Sequence, residues 1–403
     1  MNVLLFTTLY PSSRRPARGL FNLQSFRALA QYCEARVVVP VPWWQRLRWP
    51  GDLLRIPQED DTGLPASVPT YWPVPHMPAT HVRAMHRGLA AHLRQLRRDF
   101  PFDLLFATFA YPDGVAAAYL ARDLQCPLVI GVLGSDVNLL AARPSLRPEI
   151  QWGLQQAQRV LAVSSALRER VIELGVAPEK VVVQRNGVDG EQFALRDRRE
   201  ARVRLGLPAD RRIVCCVGNL LPVKGQDVLV EAMGLLRDGP CVDLVLIGAG
   251  EMQEALQARV RALGLEGRIH LPGRRPHGEV PDWISACDVY CLPSRREGCP
   301  NVILEALASG RPVVASCVGG VPELINAGNG ILVPAENPVA LAEGLRQALS
   351  RSWDPETLRG SVEYLSWDQA GKGYFHVLQA ALREERTRVS ASGPRPGRSG
   401  PDL

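Results

Sequence analysis

The chain has 403 residues, 46% of them hydrophobic and 22% charged, with a formal net charge of +6. That length suits two ordinary domains better than one core, and the balance is that of a globular enzyme, not of a disordered or membrane-spanning chain. The positive charge is modest and too spread out to argue for nucleic acid, no apolar run reaches the ~18 to 20 residues of a membrane span, and Met1 leads straight into a strand-like segment with no signal peptide, so a cytoplasmic location is expected.

Residues 2–7 read as a buried opening strand, followed by a loop rich in Pro, Ser and Arg over 9–19 and a helix from about Leu20. This is the first βα unit of a doubly wound sheet, in which ligands gather at the carboxyl ends of the strands. Gly19 is therefore a candidate cleft residue, with a plain helix-entry glycine as the other reading. A strand at 36–40 comes next. Residues 41–80 show little periodicity and much Pro, with Trp43, Trp44, Trp49 and Trp72 set among Arg46, Arg48 and Arg55. Residues 81–98 carry apolar positions at helical spacing (Val82, Met85, Leu89, Ala90, Leu93, Leu96) and many His and Arg but no acid. Tryptophans beside such a helix point to peripheral contact with an anionic membrane surface; an ordinary helix packing its stripe on the sheet is the alternative.

Strands at 103–107 and 127–132 flank a helix opening near Tyr111-Pro112-Asp113-Gly114. The second runs into Leu133-Gly134-Ser135-Asp136, where Asp136 stands at a strand end and is assigned to a sugar hydroxyl, or else to capping the next helix. A strand at 160–164, a helix to Leu174 and a strand at 181–183 complete the first sheet. Asn186-Gly187-Val188-Asp189 reads as a tight turn with positive φ at a domain crossing, and the charged run 196–204 as a linker and an exposed helix.

A second βα series opens at 213–218, and the loop Asn219 to Gly225 carries Lys224, one of only three lysines. Residues 243–250 offer a strand and Gly-x-Gly, but the third glycine of a dinucleotide fingerprint is missing and helix–strand packing accounts for those glycines. Residues 288–294 form a short buried strand, and residues 295–310 read as a polar loop feeding a helix that starts near Pro300 and stops at Gly310. The amides of Gly298 through Val302 then point out of the helix N-terminus, where a diphosphate can bind. Glu297 precedes the helix and Glu305 lies about one and a half turns inside it, within reach of a ribose diol. Nine scattered cysteines, none in a Cys-x-x-Cys pair, read as reduced thiols, and no metal or other cofactor is expected.

Glu297 and Glu305 with seven residues between them, followed by Ala-Leu-Ala-Ser-Gly-Arg-Pro-Val-Val-Ala, resemble the signature of the retaining glycosyltransferases of family 4. The resemblance extends to Pro-x-Arg-Gly-Leu-Phe ending at Phe21, as in members that elongate bacterial surface polysaccharides, and to Asn186-Gly187-Val188-Asp189 with Phe193. It implies an α/β chain of GT-B fold: two Rossmann-like domains, 1–192 for the acceptor and 193–365 for the nucleotide sugar, a helix over 366–387 crossing back to the first domain, and a disordered tail at 388–403. It further implies a metal-independent hexosyltransferase acting between a nucleotide diphosphate sugar and a glycan or lipid-linked acceptor. Glu297, Lys224 and Asp136 form the expected catalytic set. Gly19, Asn219, Lys224, Glu297, Gly298, Cys299, Pro300, Asn301, Val302 and Glu305 form the expected donor-binding set. Two positions depart from the family: Leu133 stands where many members have His, and Asn219 where an Arg commonly accompanies the Lys, a gap that Arg295 or Arg296 is in position to fill. A GT-B nucleotide-sugar epimerase, a silent nucleotide-sugar binder and a nicotinamide oxidoreductase are the rival classes.

Overall fold

Short Val-, Leu- and Ile-rich runs bounded by Gly, Pro and Ser become parallel strands buried on both faces, with helices covering them. The computed structural model describes residues 1–12, 18–48, 64–237 and 241–391. They group into two units: Met1–Ala162 with Arg168–Gln184 and the chain from Gly371 onward, and Val163–Leu167 with Arg185–Ala370.

The sheet of the first unit has seven parallel strands, in the spatial order Ala66–Ser67, Glu34–Val38, Asn2–Phe6, Leu104–Thr108, Leu128–Val132, Arg159–Ala162 and Val181–Val183. Val3 pairs with Ala35 on one side and Leu104 on the other, so the strand order reverses beside the opening strand and leaves a crevice at the carboxyl ends there. The region without periodicity contains a separate parallel pair, Val41–Pro42 with Thr70–Tyr71, and a helix, Trp43–Arg48. Strands of two residues have no period to display. Trp43 stacks on Trp72 with ring centroids 5.8 Å apart. Trp49, Arg55 and the side chain of Arg48 lie outside the described residues.

The helix His81–Asp99 forms as its spacing requires, and Val82, Met85, Leu89 and Leu93 are buried in the unit. The apolar stripe is thus spent on the protein's own interior, as in the packing alternative, and only the basic face looks outward. Trp72, Val74 and Met77 remain exposed beside it.

Asp136 corrects the sequence reading. Its side chain is completely buried, and its carboxylate accepts the amides of Ala110 at 2.9 Å, Gly134 at 2.8 Å and Leu133 at 3.1 Å. A carboxylate so engaged ties two strand ends together and has no face left for a sugar hydroxyl. The final helix, Trp367–Ala391, runs past residue 387, where the sequence reading ends it. Residues 392–403 lie outside the described residues. Leu378 and Ala381 of this helix are fully buried in the first unit, Glu385 accepts from Gln158, and Glu384 pairs with Arg159.

The second unit repeats the plan with six parallel strands ordered Ile269–Gly273, Val242–Ile247, Arg212–Val217, Val289–Leu292, Val313–Ser316 and Gly330–Val333. Ile213 and Cys215 join one core cluster while Val214 and Cys216 join the other, the period-two alternation of a strand covered on both faces. The strand order reverses between Arg212–Val217 and Val289–Leu292. The turn at Asn186 also differs from its reading. Gly187 does not have positive φ; a Cβ there would sit 2.4 Å from the Trp367 nitrogen, because Val188 pairs alongside Ser366.

Candidate active site

At the reversal point of the second sheet two loops meet. One leaves Arg212–Val217 and makes a single helical turn, Pro222–Lys224, before Gly225; the other leaves Val289–Leu292 and carries Glu297 into the helix Asn301–Ala308. Gly225 has φ 66°, and a Cβ on it would lie 2.1 Å from the Pro293 carbonyl oxygen. That close approach seats the first loop on the second, and Lys224 Nζ reaches Glu297 Oε1 at 2.7 Å. Ser294 Oγ donates to the same oxygen at 2.7 Å. From behind, Gly319, with φ 52°, leaves room for the Glu297 carbonyl, and the Gly320 amide donates to the Gly298 carbonyl at 3.0 Å. These two glycines brace the loop.

Pro300 is the residue before the helix, not its first turn, and its carbonyl accepts from Ile303. Among the described residues no protein acceptor meets the amides of Gly298, Cys299, Asn301 or Val302. Asn301 uses its side-chain oxygen to accept from Asn186 at 2.9 Å, leaving its amide available. One turn and a half further on, Glu305 keeps partial access to solvent. Its carboxyl has no hydrogen-bond partner among the described residues, and burial pushes its pKa up to about 7. Cys299 sits beside this helix end, half-buried, its thiol pushed up to about 12 by burial.

Asn219 is exposed and accepts through its carbonyl from Gln226. Arg295 is not the substitute cation, because Asp227 holds its guanidinium at 2.9 and 2.7 Å and Glu336 at 2.9 Å. Arg296 is exposed and has no ion pair among the described residues. Gly19 belongs to the first unit, where it has φ 68° and a Cβ would fall 2.2 Å from the Leu9 oxygen. The second unit thus gathers Lys224, Glu297, the helix amides and Glu305 at one edge of its sheet, whereas Gly19 and Asp136 are not among them. Among the described residues no cluster of three His, Cys, Asp or Glu side chains is set to hold a metal ion, and no helix is long and apolar enough to cross a membrane.

The first unit has a buried carboxyl that the sequence reading passed over. Asp113, at the reversal point beside the opening strand, accepts the Thr8 amide at 2.7 Å and its hydroxyl at 3.0 Å. Burial pushes its pKa up to about 7. Its signal was present only as an acid in a Pro-Gly turn at a strand end.

Residues 197–361 match the model of the group 1 glycosyl transferases, and residues 54–192 match that of Glycosyltransferase Family 4. A Bacillus subtilis (strain 168) glycosyltransferase named for teichuronic acid biosynthesis, TuaC, is 32% identical over 88% of this chain and 91% of its own. The chain belongs to glycosyltransferase family 4. A Catenulispora acidiphila D-inositol 3-phosphate glycosyltransferase is 30% identical over 80% of this chain and 82% of its own. In fold, this family 4 chain resembles the Anabaena protein HepE solved with UDP, with a TM-score of 0.69 and 24% identity over 97% of this chain and all of that one. Both units are thus those of a GT-B glycosyltransferase.

Proposed function

We propose that this family 4 enzyme transfers a hexose-type sugar, with retention, from a nucleotide diphosphate sugar to an alcohol on a glycan or lipid-linked acceptor. The observation that carries the reading is Glu305, a solvent-reaching carboxyl placed one and a half turns behind a row of amides, neither of which has a protein partner among the described residues. A nucleoside diphosphate fits both: its diphosphate meets the amides and the positive end of the helix, and its ribose diol donates to Glu305. The UDP and UDP-glucose complexes of HepE support a donor of this class.

In this reading Lys224 supplies fixed positive charge to the departing diphosphate, where charge appears in the transition state. Ser294 and Lys224 together orient Glu297, whose remaining oxygen is assigned to the hexose hydroxyls. No protein nucleophile is assigned: the acceptor oxygen attacks on the face from which the diphosphate leaves, and the leaving phosphate oxygen takes its proton. Arg296 is the candidate for the cation that Asn219 does not provide. The basic face of His81–Asp99 with Trp72 supports peripheral attachment to anionic lipid at the cytoplasmic side.

A thermal-shift panel of nucleoside diphosphates and their sugars tests the donor. A ligand at a hundred times its Kd adds ~2.7 kcal/mol of stability, several degrees in midpoint for domains of this size. A panel in which none of these compounds shifts the midpoint overturns the assignment. Incubating the stabilising donor without acceptor and finding isomerised sugar points instead to an epimerase.

A further inference from the structure

At the opposite, amino edge of the second sheet is a cavity of about 520 Å³, inside the ~300 to 1,000 Å³ range of small-molecule sites. It opens beside Arg212, where one strand begins, and beside Asp288 and Pro312, which precede the two neighbouring strands. A strand of six residues separates it from the Lys224–Glu297 pair, roughly 20 Å at about 3.3 Å per residue. Arg196, Arg198, Arg212, Arg311 and Arg351 line it, against Asp197 and Asp288.

The acids do not balance these arginines. Asp288 is shared by Arg198 at 2.5 Å, Arg202 at 2.7 Å and Arg212 at 3.2 Å, so one carboxylate serves three guanidiniums. Asp197 spends an oxygen on the Glu200 amide as a helix cap. Arg196 is paired elsewhere, with Asp282 at 2.7 Å. Arg351 lies 4.0 Å from the Trp353 ring centroid, held over the ring and paired with no carboxylate among the described residues.

The deciding residue is Arg311. It is 9% exposed, and among the described residues its Nε has no hydrogen-bond partner and its guanidinium makes a single, long hydrogen bond of 3.4 Å to the Arg196 carbonyl. A guanidinium this buried without a carboxylate is costly unless something completes it. The neighbouring helix end at Ala348–Ser350 opposes an anion, but with only about half a charge, against the surplus of the arginines.

We propose that this cavity is a second binding site, separate from the donor loops, for a phosphate- or diphosphate-bearing small molecule whose oxygens complete Arg311 and bridge to Arg212 and Arg351. Planar guanidiniums suit phosphate because they donate two parallel hydrogen bonds.

Inorganic pyrophosphate is the probe, titrated calorimetrically into the full chain at low ionic strength. Because the donor loops also attract pyrophosphate, the measurement uses Lys224→Ala as the parent. Saturable binding persists in that parent, and adding Arg212→Gln or Arg351→Gln, both exposed positions, weakens it about tenfold. Arg311→Leu abolishes it and raises the melting midpoint of the anion-free protein, the reverse of what loss of a structural arginine does. Absence of binding in the Lys224→Ala parent, or binding unchanged by both surface substitutions, overturns the proposal and leaves the donor assignment untouched.

Discussion

Glu305 and Lys224 are the residues whose chemistry is most open to measurement. With its pKa raised to about 7, Glu305 is protonated in the unliganded protein at acidic pH, whereas a diol that donates hydrogen bonds prefers the carboxylate. Donor affinity should therefore strengthen as pH rises from 6 to 8, and Glu305→Gln should weaken binding and flatten that profile; a profile as steep in the variant excludes the residue from the ribose. The same raised pKa means that the folded state holds a proton that the unfolded chain gives up at lower pH. The contribution of this group to stability is therefore present below the unfolded value and lost as pH climbs toward 7. Glu305→Gln should narrow the gap between melting midpoints at pH 6 and pH 8. For Lys224→Ala, a charge-assisted hydrogen bond is worth ~1.5 to 3 kcal/mol, so kcat should fall at least tenfold with an unaltered circular dichroism spectrum. Asp136→Ala leaves three amides without their acceptor and should cost ~3 kcal/mol or more in denaturant unfolding, a larger effect than on acceptor KM. The pair Glu297 and Glu305 was legible as a spacing, but the sequence does not show which oxygen Lys224 takes, because Ser294 and Gly225 make that contact through the packing of two distant loops.

At the level of elements, the loop that carries Glu297 is shaped less by its own residues than by glycines from elsewhere. Gly319→Ala must move the Glu297 carbonyl, which stands 2.0 Å from where the new methyl would sit, and it also strains a left-handed φ. Gly206→Ala provides the contrast: φ is 65°, yet nothing lies within 4 Å. The second substitution should cost about 1 kcal/mol in chemical denaturation and leave kcat alone. The first should cost more and lower kcat; equal effects of the two would remove the bracing role. Long periodic elements such as His81–Asp99 were readable because an apolar stripe must repeat where a helix meets a core. The two-residue strands near Val41 and Thr70 were not, since their pairing is decided by neighbours outside the sequence window.

For the molecule as a whole, two βα series in succession were enough to indicate two doubly wound sheets, because each buried strand followed by a helix needs the same layered solution. That the first unit takes its last helix from the far end of the chain is not carried by the βα pattern and was expected only through the family resemblance. Ending the chain after Ala370 should expose strands 2–6 and 104–108 to rapid amide exchange while residues 185–370 keep their protection, as judged by hydrogen exchange. Equal protection in the shortened chain would mean that Leu378 and Ala381 contribute little.

One feature of the thiols has a practical use. Cys241 and Cys317 are exposed, and the other seven cysteines are at least half-buried. Cys317 directly follows Val313–Ser316 and stands two residues before the glycine that touches the Glu297 carbonyl. With Cys241 changed to serine, a maleimide dye can be attached at Cys317 alone, giving an optical readout of events at the donor loop without altering any residue assigned to it.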